Sequence, residues 1–152
     1  MIHFLILLDK ILKFEFLLDN LTLQSITDFE VKIDVNKWSK KEILGHLIDS
    51  AINNLQRFTE IQYSEKPYKI RPYNQDALVK YNDYQNKNNQ DLFDLWLHLN
   101  RHILEIIKNQ TDKTLDYQLI LPNGTLTNLQ FLIEDYIDHL FYHVSQINKA
   151  WI

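Results

Sequence analysis

Two histidines four residues apart, in the segment EDYIDHLFYHVSQI, are the residues of this chain that most directly suggest chemistry. His139 and His143 lie in a stretch whose apolar residues recur at helical spacing. Positions four apart on a helix are separated by about 40° around its axis, so both imidazoles can approach one metal ion. Histidines at the edge of a core are also common, and two ligands do not make a site.

The composition limits which side chains can serve as metal ligands or nucleophiles. The sequence holds 6 histidines and no cysteine, which excludes disulfides, thiolate nucleophiles and cysteine-ligated zinc or iron–sulfur centres. A metal must therefore be bound by His, Asp, Glu and solvent. His3, near the N-terminus, is expected at the surface.

A third ligand can come from two other segments. His46 heads a polar line along its predicted helix, with Asn53 seven residues later and Arg57 four beyond that. The segment HLNRH supplies a second pair at the same spacing as the first. On a helical wheel, His102 falls at the border of the apolar arc and His98 faces solvent. The residues alone leave His46 and this pair as rivals.

Two carboxylates are placed to support these ligands. A ligating imidazole usually donates its other N–H to a carboxylate or carbonyl. Asp49 lies three residues after His46, and Asp135 four residues before His139. Simple solvation of both carboxylates is the alternative.

Further polar residues suggest contacts around the site. Arg57 and Asn53 either bind an anionic group of a substrate or hold a loop by pairing with Asp76 or Glu60, and we favour the structural role. Tyr73, in the loop SEKPYKIRPYN, either closes over the metal or packs.

The elements that must position these residues are predicted to be helical. The chain of 152 residues has only 2 Gly and 3 Pro, which favours one domain, residues 1–152, built from long helices. Capping boxes at Ser39/Glu42 and Thr127/Gln130 predict two helix starts. The predicted helices run from residue 2 into the twenties and over residues 39–63, 75–84, 92–106 and 127–150. Four long helices predict an all-α antiparallel four-helix bundle with long connecting loops.

Charge and hydropathy argue against a nucleic-acid-binding protein and against a membrane protein. A net charge of -4 without a basic stripe argues against a nucleic-acid partner. The longest apolar run near the N-terminus, residues 4–8, ends at Asp9 and Lys10, whereas a membrane span needs about 20 apolar residues. Without a basic lead-in or a cleavage site, we expect a cytoplasmic protein with no membrane partner.

Three segments carry a family resemblance: WSKKEILGHLIDSAINNLQRF, KIRPYNQDALV and DYIDHLFYHVSQI. They resemble the DinB-like superfamily, and within it the YfiT-like metal-dependent hydrolases, which are related to transferases of bacillithiol and other low-molecular-weight thiols. The resemblance covers about residues 38–147. It implies a four-helix bundle, a homodimer and one divalent ion held by His46, His139 and His143. His98 and His102 are not ligand positions in that pattern.

This sequence departs from the family pattern in two places. Gly45 stands where relatives have a second histidine beside the ligand of the second helix. The ending H-x-x-H-H of some relatives is reduced to His139 and His143. Both departures leave the three implied ligands intact.

Three imidazoles with open positions indicate a catalytic site, because structural zinc usually has four protein ligands. Zinc or nickel suits imidazole. The ion lowers the pKa of bound water or activates a thiolate. We therefore expect a hydrolase or a low-molecular-weight-thiol S-transferase, with that thiol as cosubstrate, acting on a small electrophilic molecule.

A non-catalytic protein is the alternative. In that interpretation the bundle is a stress-related interaction protein or a structural dimer. The histidines hold a structural ion or nothing, and the apolar surface of the first helix forms the dimer contact.

Overall fold

The computed structural model describes residues 2–151, without the side chains of residues 2 and 3. The expected surface position of His3 therefore lies outside the described residues. The helices are α1 (Ile2–Asn20), α2 (Lys40–Glu60), α3 (Gln75–Asn82), α4 (Asn89–Lys108), α5 (Asp112–Leu115) and α6 (Leu129–Ile147). The predicted helices are all present, and α2 and α6 each end three residues before the predicted boundary.

The four long helices form the predicted bundle. α2 packs against α4 and α6, and α1 packs against the same two helices, so α1 and α2 lie on opposite corners. Phe58, near the end of α2, meets Tyr136, in the first half of α6, with ring centroids 5.7 Å apart. His46, nearer the start of α2, meets His139, farther along α6. α2 and α6 are therefore antiparallel, and the shared core lies between all four helices.

A small sheet that was not predicted joins two connections of the bundle. β1 (Tyr68–Lys69) pairs in parallel with β2 (Gln118–Ile120), and β2 pairs antiparallel with β3 (Leu126–Asn128). The predicted Asn-Gly turn connects β2 to β3, and Gly124 adopts a positive φ of 87° that favours glycine. Strands of two or three residues are too short to show a period-2 pattern, which explains why the sequence did not reveal them.

The start of α2 is fixed by its cap and by a buried lysine. The predicted capping box is confirmed: the Glu42 amide donates to Ser39 Oγ at 3.1 Å, and the Ser39 amide donates to Glu42 Oε2 at 2.8 Å. Lys41 is 1% exposed, and its ammonium donates to Glu30 Oε1 at 3.1 Å and to the carbonyl of Lys87. These contacts hold the first turn of α2, directly before its histidine.

The start of α6 differs from the prediction. The Thr127/Gln130 capping box is wrong, because Thr127 belongs to β3 and its backbone is engaged in the sheet. Asn128 caps the helix instead, with its Oδ1 accepting from the Phe131 amide at 3.1 Å. The helix therefore starts one residue later, and the capped amide is that of Phe131 instead of the Gln130 amide that Thr127 was expected to reach.

The outward side of α1 is apolar and solvent-exposed. We call Leu5, Leu8, Leu12 and Phe16 the α1 outer face; their exposures run from 41% to 60%. Two surface grooves of about 490 and 480 Å³ lie beside it, bordered by α6 and by the turn at Trp151. No described helix is long and apolar enough to cross a membrane.

Candidate metal centre

Three histidines from two helices converge at one point of the bundle. His46 on α2 is buried, and His139 and His143 on α6 are half-buried. Their ligand nitrogens all lie within 4.8 Å of one another. The Nε2 atoms of His46 and His139 are 3.3 Å apart. The His143 ring centroid lies 4.7 Å from that of His46 and 4.6 Å from that of His139.

This spacing fits a small divalent ion. Two imidazole nitrogens bound to zinc at 2.0–2.1 Å with tetrahedral angles would be separated by about 3.3 Å, which is the separation of the His46 and His139 Nε2 atoms. The cluster that residues 2–151 form contains three ligands, all imidazoles. A tetrahedral ion held there would keep one position for solvent or substrate.

The protonation of the cluster favours metal binding. Burial, together with the nearby His143 and His139, lowers the pKa of His46 to about 4. Burial and His143 also lower the pKa of His139 to about 4. Both rings are therefore neutral at pH 7, which is the form that binds metal ions.

Gln146 fixes the orientation of His143. The His143 Nδ1 lies 2.8 Å from Gln146 Oε1, and an amide oxygen only accepts hydrogen bonds. A hydrogen bond between these two atoms requires the His143 proton on Nδ1, which leaves the lone pair of Nε2 for a metal ion. Gln146 was not among the predicted site residues, and its position three residues after His143 on the same helix is the signal that could have found it.

His46 is fixed by packing, and one of its nitrogens has no partner. The Trp38 ring lies against it, with centroids 5.0 Å apart at 34°. Among residues 2–151, neither His46 Nδ1 nor the equally buried Asp49 Oδ2 has a hydrogen-bond partner. His46 Nδ1 can donate a hydrogen bond and Asp49 Oδ2 can accept one, and these two residues lie three apart on α2.

The predicted supporting residue Asp49 lies in a buried network. Its Oδ1 accepts from the Tyr84 hydroxyl at 2.6 Å and from Asn82 Nδ2 at 2.9 Å. Burial raises the pKa of Asp49, and the two hydrogen bonds lower it. The network ties the helix that carries His46 to the segment after α3.

Tyr84 also explains Gly45. A Cβ added to Gly45 would lie 2.2 Å from Tyr84 Cδ2 and 2.8 Å from Tyr84 Cβ, far inside van der Waals contact. The space beside His46 that a larger residue at position 45 would need is therefore occupied by the tyrosine ring. Sequence reasoning did not assign Tyr84 to the site, because it comes from a separate segment.

Asp135, the second carboxylate predicted to support a ligand, lies outside the buried network. Asp135 is exposed. No hydrogen bond in the described part of the chain joins it to His139. The structure thus brings Asp49 into the buried surroundings of His46 and leaves Asp135 at the surface of α6.

Of the two predicted polar residues of α2, Arg57 contacts the loop after the helix and Asn53 does not. The Arg57 guanidinium donates through Nη2 to the carbonyl of Arg71 at 2.6 Å, and its Cζ lies 5.4 Å from the centre of the Tyr73 ring. Asn53 donates to the carbonyl of Asp49 at 2.9 Å, within its own helix. Arg57 therefore holds the loop, and Tyr73 packs on Arg57.

Neither acidic partner expected for Arg57 pairs with it in the described residues. Glu60 accepts instead from the Tyr68 hydroxyl and from Gln56 Nε2, each at 2.7 Å. Asp76 is exposed at the start of α3. The loop is thus held by a carbonyl and an aromatic ring, without an ion pair to Arg57.

The rival histidines lie elsewhere. His98 and His102 are exposed on α4, and neither belongs to the cluster of three. They serve below as matched controls.

Comparison with known proteins gives a family match and two structural likenesses. The model of the DinB superfamily matches residues 14–147. The structure of YfiT from Bacillus subtilis, described as a probable metal-dependent hydrolase with an unusual four-helix bundle topology, is similar with a TM-score of 0.70 and 20% identity, covering 95% of this chain and 81% of that chain.

A mycothiol-dependent maleylpyruvate isomerase is also similar, with a TM-score of 0.67 and 11% identity. The alignment covers 95% of this chain and 59% of the isomerase. At these identities the two likenesses show the fold. No curated protein sequence gives a significant match.

Proposed function

This chain belongs to the DinB superfamily, and we propose that it is a metal-dependent enzyme whose His46, His139 and His143 hold one divalent ion, zinc or nickel. The reaction we propose is hydrolysis, or transfer of a low-molecular-weight thiol, on a small electrophilic molecule. The observation that carries the proposal is the cluster of three imidazoles with a 3.3 Å separation between two Nε2 atoms. YfiT, a probable metal-dependent hydrolase, supports the first reaction, and the mycothiol-dependent isomerase supports the second.

The ion would supply Lewis-acid chemistry, lowering the pKa of a water or thiol. The residues of the chain prepare the site for it. Gln146 Oε1, 2.8 Å from His143 Nδ1, favours the tautomer that leaves the Nε2 lone pair of His143 for the ion. Asp49, whose Oδ2 is buried without a partner, is the acceptor we propose for the Nδ1 proton of His46.

A catalytic role accounts for the cluster better than a structural one. Structural zinc sites close with four protein ligands, whereas this cluster has three. The bundle also has a large apolar core independent of the cluster, so its fold does not depend on an ion as a zinc finger does.

Metal content tests the proposal. We expect about one zinc or nickel ion per untagged chain by mass spectrometry, lost in His46→Ala, His139→Ala and His143→Ala. His98→Ala removes an exposed histidine and should keep the ion. A chain that neither contains metal nor takes up added zinc or nickel would overturn the proposal.

We also propose that two copies associate through the α1 outer face. Its apolar side chains are exposed, Phe141 lines both neighbouring grooves, and Trp151 lines one of them. Contiguous apolar surface of this kind marks interaction sites.

A further inference from the structure

Arg57 lies on the same side of α2 as the metal-centre histidine. Eleven residues separate it from His46, which is about three turns, so the two side chains leave the helix in nearly the same direction. The rise over this distance is about 16 Å. Both side chains lean toward the helix N-terminus, so the separation between the guanidinium and the cluster stays about 16 Å along the helix.

The charge of Arg57 has no carboxylate partner in the described part of the chain. Its hydrogen bonds go to the Arg71 carbonyl at 2.6 Å and to Asn54 Oδ1 at 3.3 Å. A guanidinium has five N–H donors, so most remain available. Burial lowers the pKa of Arg57, and only the nearby Tyr73 and Tyr68 hydroxyls oppose that effect.

Tyr73 connects this guanidinium to the helix that carries the other two histidines. It lies under Arg57, and the charge of its hydroxyl adds to the rise that burial causes in the pKa of Tyr136 on α6. Tyr136 precedes His139 by three residues and contacts Phe58 of α2. The Arg57–Tyr73 pair and the histidine cluster thus lie at two ends of the same α2–α6 contact.

From this arrangement we infer that the substrate carries a carboxylate or a similar anionic group, which Arg57 binds while the reacting end lies at the histidine cluster. The inference rests on the proposed function. Arg57 keeps one N–H on the Arg71 carbonyl and offers the others to the anion. A guanidinium suits a carboxylate because the two form parallel charge-assisted hydrogen bonds.

A pair of probes of matched length tests this. In 12-mercaptododecanoate the thiol can bind the ion and the carboxylate can span the distance of about 16 Å to Arg57, whereas 12-mercapto-1-dodecanol has no charge at that end. With zinc-loaded protein, calorimetric titration should show the acid binding about tenfold or more tightly than the alcohol, since hydrogen bonds to charged groups are among the stronger ones.

Three variants separate the effect of the Arg57 charge from an effect of Arg57 on the structure of the loop. Arg57→Gln should remove the advantage of the acid and leave the affinity for the alcohol unchanged. Arg57→Lys should retain part of the advantage, because the charge remains. Arg71→Gln removes an exposed cation from the same loop and should retain all of it.

The outcomes distinguish the proposed role of Arg57 from the proposed metal site. If wild-type protein binds both probes equally, or if Arg71→Gln abolishes the advantage as Arg57→Gln does, the role of Arg57 is overturned while the metal site stands. If the zinc-loaded protein binds neither thiol, the open coordination position, and the inference with it, is overturned.

Discussion

The ring of Tyr84 lies against Gly45, so close that a Cβ on Gly45 would fall 2.2 Å from Tyr84 Cδ2. The same tyrosine donates to Asp49 at 2.6 Å. The residue directly before His46 is thus restricted by a side chain from another segment. In this chain, the histidine that relatives are expected to have at that position would collide with Tyr84.

Gly45→Ala should therefore destabilise the protein. Displacing the Tyr84 ring costs about 1–3 kcal/mol for overpacking, and the better helix propensity of Ala returns about 1 kcal/mol. We expect a net loss of up to about 2 kcal/mol in the free energy of unfolding by urea, toward the upper end because the overlap at 2.2 Å is severe. In a Tyr84→Ala background the same substitution should be neutral or stabilising, and an equal loss in both backgrounds would show that Tyr84 is not the cause.

Asp49→Asn should weaken metal binding. If Asp49 accepts the Nδ1 proton of His46, the neutral amide is a poorer acceptor, and loss of such a partner typically costs 10- to 100-fold in affinity. Competition with a chelator of known zinc affinity measures the change. Asp135→Asn, at the exposed carboxylate of α6, is the matched control and should leave the affinity unchanged; equal effects of the two would exclude a specific role for Asp49.

The stability of the metal-free protein should fall in mild acid. The pKa values of His46 and His139 are lowered from 6.5 to about 4 in the folded state. Between these pH values the unfolded chain binds more protons, so the free energy of unfolding decreases as the pH falls from about 6.5 to about 4. The raised pKa of Asp49 acts in the opposite direction.

Urea titrations at several pH values measure this dependence. His46→Gln and His139→Gln should each flatten the decrease, whereas His98→Gln, at an exposed position, should retain the wild-type profile. A flat profile for the metal-free wild type would contradict the burial of neutral imidazoles.

Leu12→Asp should disrupt the proposed dimer. Leu12 is 56% exposed and lies at the middle of the α1 outer face, where a buried carboxylate in a dimer contact would have no partner. Light scattering should give twice the monomer mass of 18.3 kDa for the wild type and the monomer mass for the variant. Ile33→Asp, at a position 91% exposed outside α1, should remain dimeric. A monomeric wild type would refute the assembly.

Helical periodicity and capping chemistry predicted the bundle well, because long helices repeat their pattern many times. The Ser39/Glu42 box was correct. The Thr127/Gln130 box was wrong because pairing within β3 competes with helix capping, which local sequence does not reveal. The short strands were missed because two or three residues carry no periodic signal.

The histidine pair of α6 was visible from its spacing, but choosing His46 over the α4 pair on the residues alone was not possible. That choice depends on which helices are neighbours. The contacts of Trp38 and Tyr84 with the α2 site were also hidden, since both residues approach from segments outside that helix. Gln146, in contrast, could have been predicted, because it lies three residues after His143 on the same helix.

His46 and His139 are separated by 93 residues along the chain. An ion that joins them closes most of the polypeptide into a ring, and closing a loop of this length costs an unfolded chain about 4 kcal/mol in entropy. Binding the folded form alone also shifts the unfolding equilibrium by mass action. Bound metal would then add to the stability that the apolar core already provides, so that a cell short of the metal would lose some of the protein to proteolysis as well as its activity.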